Sequence, residues 1–173
     1  MNYIFFAGVH GVGKTTLLEV VKEHTSIVSF QISDLIRLSG NNIPSSEKRT
    51  NEIDVNQQLW VRRIKQIDFP ENLPIVLDGH FVLLDQDNSI NELDFSFFQE
   101  VNLSKIILKK ESPEIICQRL QIRDSTSWNI DFVREFQNRE EKQVLKFAQD
   151  NNIPLFVYDS DSLFLKLIEF IKQ

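Results

Sequence analysis

The chain has 173 residues, enough for one domain with a sizeable core. Hydrophobic residues make up 42% of it, which excludes an intrinsically disordered protein, and the net charge of −6 argues against a protein that coats nucleic acid, since such binding rests on a basic surface. One cysteine, Cys117, allows no intramolecular disulfide, and no apolar run approaches the about 20 residues needed to cross a bilayer, so no membrane partner is expected.

The first element is a continuous apolar run, Ile4 to Ala7, of the kind found in strands covered on both faces. It places a strand at about 2 to 8, leaves no room for a signal peptide, and makes a reducing cytoplasm the expected compartment. From Lys14 onward Leu17, Leu18, Val20 and Val21 recur at helical spacing, so a helix is expected at about 13 to 24, with His24 meeting its dipole. Between strand and helix lies Gly8-Val9-His10-Gly11-Val12-Gly13-Lys14-Thr15-Thr16, in which Gly8 to Thr15 fits G-x-x-x-x-G-K-[ST]. Glycines let backbone N–H groups turn inward and approach phosphate oxygens, and the helix N-terminus adds unpaired donors. This stretch is expected to bind ATP, with Lys14 reaching the β- and γ-phosphates and the Thr15 hydroxyl ligating Mg²⁺. Lys14 has no apolar neighbour in such a loop, so its removal is expected to leave the fold intact. His10 is expected to shape the loop.

"SIVSF" reads as a second strand, and "SDLIRL" as a short helix capped by Ser33 or Asp34. "SGNNIPSSEK" is a loop, followed by a long helix from about Ser46 to Ile67, with Arg62 and Arg63 solvated and Trp60 in the core. "LPIVLD" and "SKIILKK" are strands three and four, with "DQDNSINE" a loop between them. Ser112 caps a helix that has Pro113 at its first position and runs to about Arg123; Cys117 lies inside it as a buried apolar side chain. After the loop "DSTSWN", a helix covers about 130 to 150, "IPLFVYD" is strand five, and "DSLFLKLIEFIK" closes the chain as a helix. Strands alternating with helices imply right-handed crossovers and a parallel sheet covered on both faces, with ligands at the carboxyl ends of the strands. The expected fold is a three-layer α/β P-loop NTPase fold with a five-stranded parallel sheet.

Asp78 ends the third strand, where a carboxylate can hold Mg²⁺ or its water opposite Thr15. Motor ATPases usually follow this Asp with a glutamate that activates water; here Gly79 follows, and no NKxD base-reading motif is found. Hydrolysing switches lose ground, and transfer to a bound acceptor gains. Four segments in order, "GVHGVGKTT", "FQISDLIR", "VLDGHF" and "SPEIICQRLQIRD", resemble the nucleoside monophosphate kinases, and Asp78, Gly79 and His80 are similar to the D-x-H segment of archaeal and nuclear adenylate kinases. The resemblance implies one P-loop kinase-like domain over 1–173, with an acceptor-binding helical region at about 31–68 and a short lid at about 119–134. It implies acceptor contacts from Asp34, Arg37, Arg49, His80 and Gln86, and catalytic roles for Arg119 and Arg123 beside Lys14. The chain departs from the pattern at Val82, where the family has an acceptor-binding arginine. Arg134 and Arg139 are five apart and so do not share one helix face; one could point at the phosphates while the other is solvated, and a surface arginine is the expected reading for either one alone. The expected activity is transfer of the γ-phosphate of Mg-ATP to a nucleoside monophosphate by a monomer or small homo-oligomer. The alternatives are another acceptor (a nucleoside, a metabolite or a nucleic-acid 5′ end) or a non-catalytic nucleotide-binding module.

Overall fold

A computed structural model describes residues 2–39, 53–70, 72–85, 87–125 and 127–173. In chain order its elements are β1 (Tyr3–Ala7), α1 (Lys14–His24), β2 (Val28–Gln31), α2 (Ile32–Leu38), α3 (Ile53–Ile64), β3 (Ile75–Asp78), β4 (Val82–Leu84) and β5 (Ile90–Glu92). There follow α4 (Phe95–Gln99), β6 (Leu103–Lys109), α5 (Pro113–Asp124), α6 (Ile130–Asp150), β7 (Leu155–Tyr158) and, after a short 3₁₀ turn at Asp161–Leu163, α7 (Phe164–Lys172).

All five expected strands form, and they pair in parallel in the order β2-β3-β1-β6-β7. β1 is central and buried at every position. Its alternation decides which layer each side chain enters. Phe5 and Ala7 join Leu77, Ile106 and Leu108 against Leu35, Trp60, Phe98 and Phe147 on one face. Ile4 and Phe6 join Val76 and Ile107 against Leu17, Leu18 and Val21 of α1 and Leu167, Ile168 and Ile171 of α7 on the other. The first layer is rich in aromatic contacts: Phe81 stacks on Phe98 at 4.3 Å, and Phe5 meets both edge-on at 5.1 and 5.3 Å. Each such pair is worth about 0.5–1.5 kcal/mol beyond area burial. A third cluster lies under the glycine loop, where Val9 and Val12 pack on Val82, Leu84, Ile116, Leu120, Val133 and Phe136.

Several boundaries differ from expectation. β2 runs directly into α2, so Gln31 takes the cap position without a side-chain bond, and Ser33 and Asp34 fall in the first turn. α3 ends at Ile64 because Gln66 and Ile67 bond back to Arg63 and Ile64 in tight turns; the expected start of that helix lies outside the described residues. The stretch taken as a loop contributes β5, which pairs antiparallel with β4. Asp85 organises that hairpin by accepting from the amides of Asp87 and Ser89 and from Asn91 Nδ2. Strands this short carry no readable alternation, and α4 spans only five residues. Ser112 caps α5 through Ile115 N–H as expected. Cys117 is half-buried rather than buried; it packs against the cluster under the loop, and burial pushes its thiol pKa up. His24 Nδ1 lies 2.9 Å from the Val20 carbonyl oxygen at the end of α1. Among the described residues no helix is long and apolar enough to cross a membrane.

Candidate active site

β1 stops at Ala7 and α1 starts at Lys14, so residues 8–13 make the whole turn at the carboxyl edge of the central strand. Gly8 has φ 141°, and a Cβ there would sit 2.7 Å from the Lys109 carbonyl oxygen, so the backbones of the loop and β6 approach as only glycine permits. Gly13 has φ 95° and caps α1 in the left-handed region, with the guanidinium of Arg119 packed 3.0 Å from where its Cβ would be.

Lys14 is not a free loop lysine. It is buried, its ammonium donates to the Gly8 carbonyl oxygen, and it lies 3.3 Å from Asp78 Oδ1 and 3.4 Å from His80 Nδ1. It is not in the open loop that was expected: its loss would strip a buried carboxylate of an ion pair. Asp78 reaches this place because β3 ends there, in register with Phe6 of β1. Gly79 follows for a packing reason. A Cβ there would lie 2.5 Å from Ile32 Cδ1 and 2.7 Å from Phe5 Cζ, so any side chain at this position forces those two to shift. His80 turns back over the loop, its ring 4.1 Å from that of His10.

Thr15 and Thr16 are exposed at the head of α1, with Gln31 Nε2 3.5 Å from the Thr15 hydroxyl. The oxygens of Thr15 and Asp78 suit the hard Mg²⁺ ion, which usually takes one or two protein oxygens and completes its shell with waters and substrate phosphates. Among the described residues no group of three or more His, Cys, Asp or Glu could hold a metal by itself.

The residue that the sequence reading missed is Glu140 of α6. It is fully buried; Oε1 accepts from Gly8 N–H at 2.9 Å, and Oε2 accepts from Phe81 and Val82 N–H at 2.8 Å each. Burial pushes its pKa up to about 7, opposed by the nearby Lys14 charge and by the three amide donors. Its signal was present: Val133, Phe136, Val144 and Phe147 mark the buried stripe of α6, and Glu140 sits on that stripe.

On the other side of the loop opens a cleft of about 580 Å³, lined among others by Gly13, Thr16, Lys109, Arg119, Tyr158 and Asp161. Arg119 docks on the loop, donating to the Val12 carbonyl oxygen at 3.0 Å and facing Glu111 at 3.4 Å. Lys109, also unanticipated, is buried at the end of β6 with its ammonium 5.1 Å above the Tyr158 ring. Its pKa is lowered chiefly by burial. The Tyr158 hydroxyl donates to Asp161 and its pKa is pushed up to about 12, burial leading.

The structure thus gathers Lys14, Asp78, His80, His10 and Arg119 at one loop. Arg123 is exposed one turn further along α5. Asp34 and Arg37 are ion-paired to each other on α2, which begins at the carboxyl end of β2. Arg49 and Gln86 lie outside the described residues. Val82 is fully buried in the hairpin, which explains why no arginine stands there. Arg139 grips Glu92 of β5 through Nε and Nη2 at 3.1 and 2.9 Å, and Arg134 pairs with Asp131 and Glu114, so both hold local structure. Arg63, expected in solvent, is half-buried.

A protein-family model described as an AAA domain matches residues 7–137. Among solved structures, a gluconokinase from Sinorhizobium meliloti 1021 is similar over 97% of this chain and 87% of that chain, with a TM-score of 0.50 and 13% sequence identity. That likeness is one of fold, the P-loop NTPase fold. No curated protein matches the sequence.

Proposed function

Starting from a chain that belongs to the AAA domain family and has a P-loop kinase-like fold, we propose that this protein is a phosphotransferase moving the γ-phosphate of ATP to a small acceptor, a nucleoside monophosphate foremost. The observation that carries the reading is the ammonium of Lys14, held at the head of α1 between the Gly8 carbonyl, Asp78 and His80. Phosphoryl transfer requires little covalent help from the protein; it needs alignment and neutralised charge. Inward N–H groups of residues 8–16 and the start of α1 would hold the donor phosphates. Lys14 would exchange its carbonyl and carboxylate partners for β- and γ-oxygens. Arg119 already lies on the loop and would turn its fork onto the migrating group, with Arg123 following as the helix end moves. Thr15 and Asp78 would hold Mg²⁺, which supplies charge neutralisation at the phosphate oxygens. Asp34, Arg37 and His80, together with Arg49 and Gln86, are assigned to the acceptor, and the D-G-H order favours the adenylate kinase-like reading.

Buried Val82 supports a second reading, since the acceptor arginine that resembles the family pattern has no room there. In that reading the acceptor offers an alcohol, as a sugar acid such as gluconate does. Incubation with Mg-ATP and a panel of nucleoside monophosphates, nucleosides and sugar acids, read by mass spectrometry of the products, decides between them. A phosphorylated monophosphate supports the first reading, a phosphorylated alcohol the second. Binding of ATP with transfer to none overturns both.

A further inference from the structure

Glu140 is fully buried behind the phosphate loop. Its carboxylate joins two segments that β1 and β3 bring side by side. One oxygen holds the amide of Gly8, the first residue of the loop. The other holds the amides of Phe81 and Val82, which follow Asp78 and His80 directly. Sequence separations of 132, 59 and 58 residues make these bonds tertiary rather than local. Neither segment has a ladder partner at these amides, so without the carboxylate three buried donors lose their acceptor.

We propose that Glu140 is the positioning residue that locks the phosphate loop to the Asp78–His80 segment, and so fixes Lys14 against the groups it must work with. This rests on the kinase reading for its effect on turnover, and not for the lock itself. A carboxylate is required because all three partners donate. In Glu140→Gln the amide oxygen can keep Phe81 and Val82, but its NH₂ group then faces Gly8 N–H, donor against donor. One half of the lock opens while the side-chain shape is kept. Glu140→Asp keeps the charge but is one methylene short.

The test joins amide hydrogen exchange with kinetics. In the ligand-free wild type, the Gly8, Phe81 and Val82 amides should exchange through one shared opening as denaturant is raised. Independent openings overturn the proposal, and this arm needs neither a variant that folds nor a nucleotide. In Glu140→Gln, exchange should rise at 8–13 and leave the edge strand β7 unchanged, while kcat falls at least about tenfold with acceptor and ATP KM changed less, as loss of alignment demands. Equal acceleration over the whole sheet, or a lowered melting temperature with wild-type kcat, would make Glu140 an ordinary stability residue and overturn the proposal. Wild-type protein that binds no Mg-ATP would sink the kinase reading instead, and the shared opening would then decide the lock.

Discussion

Replacing Lys14 with Met should remove turnover and also destabilise the ligand-free protein. The side chains of Lys14 and Asp78 are 7% and 9% exposed and 3.3 Å apart. At an effective dielectric constant of about 20, that separation corresponds to a gross attraction of about 5 kcal/mol. Breaking a buried pair by removing one partner costs about 3–5 kcal/mol, because the other charge stays desolvated. For a chain of this size each kcal/mol moves the melting temperature by about 2–4 °C, so a fall of roughly 6–20 °C is expected. The double variant Lys14→Met, Asp78→Asn should recover part of that fall, since it no longer leaves the Asp78 carboxylate without its ammonium, yet recover no turnover. Thermal unfolding of wild type, both single variants and the double variant gives the coupling directly. A Lys14→Met protein that melts with the wild type, or a double variant no more stable than the single, would refute the buried-pair reasoning.

Glu140 has its pKa raised from 4.5 to about 7, so its burial costs nothing below about pH 4.5 and the cost grows as pH rises through 7, to on the order of 3 kcal/mol. Wild type should therefore lose stability relative to Glu140→Gln between pH 5 and 8, and a difference that stays flat with pH in urea unfolding would remove the assigned ionisation. Gly79→Ala should cost about 1–3 kcal/mol by forcing a methyl group against Ile32 and Phe5; an unchanged melting temperature would show that the layer has slack. Arg37→Ala should raise the acceptor KM more than the ATP KM, and equal effects on both in steady-state kinetics would count against its place in the acceptor site. Arg123→Ala should lower kcat while leaving the apo melting temperature nearly unchanged, since exposed arginines contribute little to stability; Arg123→Lys should rescue only in part, because an ammonium lacks the planar fork.

The fold was legible because its central strands are continuous apolar runs and its long helices carry helical periodicity, with a cap at Ser112 for α5. Ser112 with Pro113, and the α6 boundaries at 130 and 150, emerged as read. The β4–β5 hairpin and α4 were not, because elements of three to five residues are set by turn chemistry at Asp85 and Asp94 rather than by periodicity. At the site, the glycine loop and Asp78 were readable because their chemistry is local in sequence. Glu140 was not, because its partners lie 132 and 59 residues away and a charged residue on an apolar stripe looks like a flaw until the backbone donors beneath it are seen. Gly79 was read as the absence of a water-activating glutamate. The structure adds the reason, which is that Ile32 and Phe5 occupy the space.

That space bears on the central claim, transfer to a bound acceptor rather than to water. The most direct test is the rate of ADP release from Mg-ATP by the wild-type protein, measured with and without a nucleoside monophosphate and matched to the phosphorylated product. Release should be slow alone, and rise with acceptor by an amount that equals product formed mole for mole. Release at one rate regardless of any acceptor would show a hydrolase and contradict it.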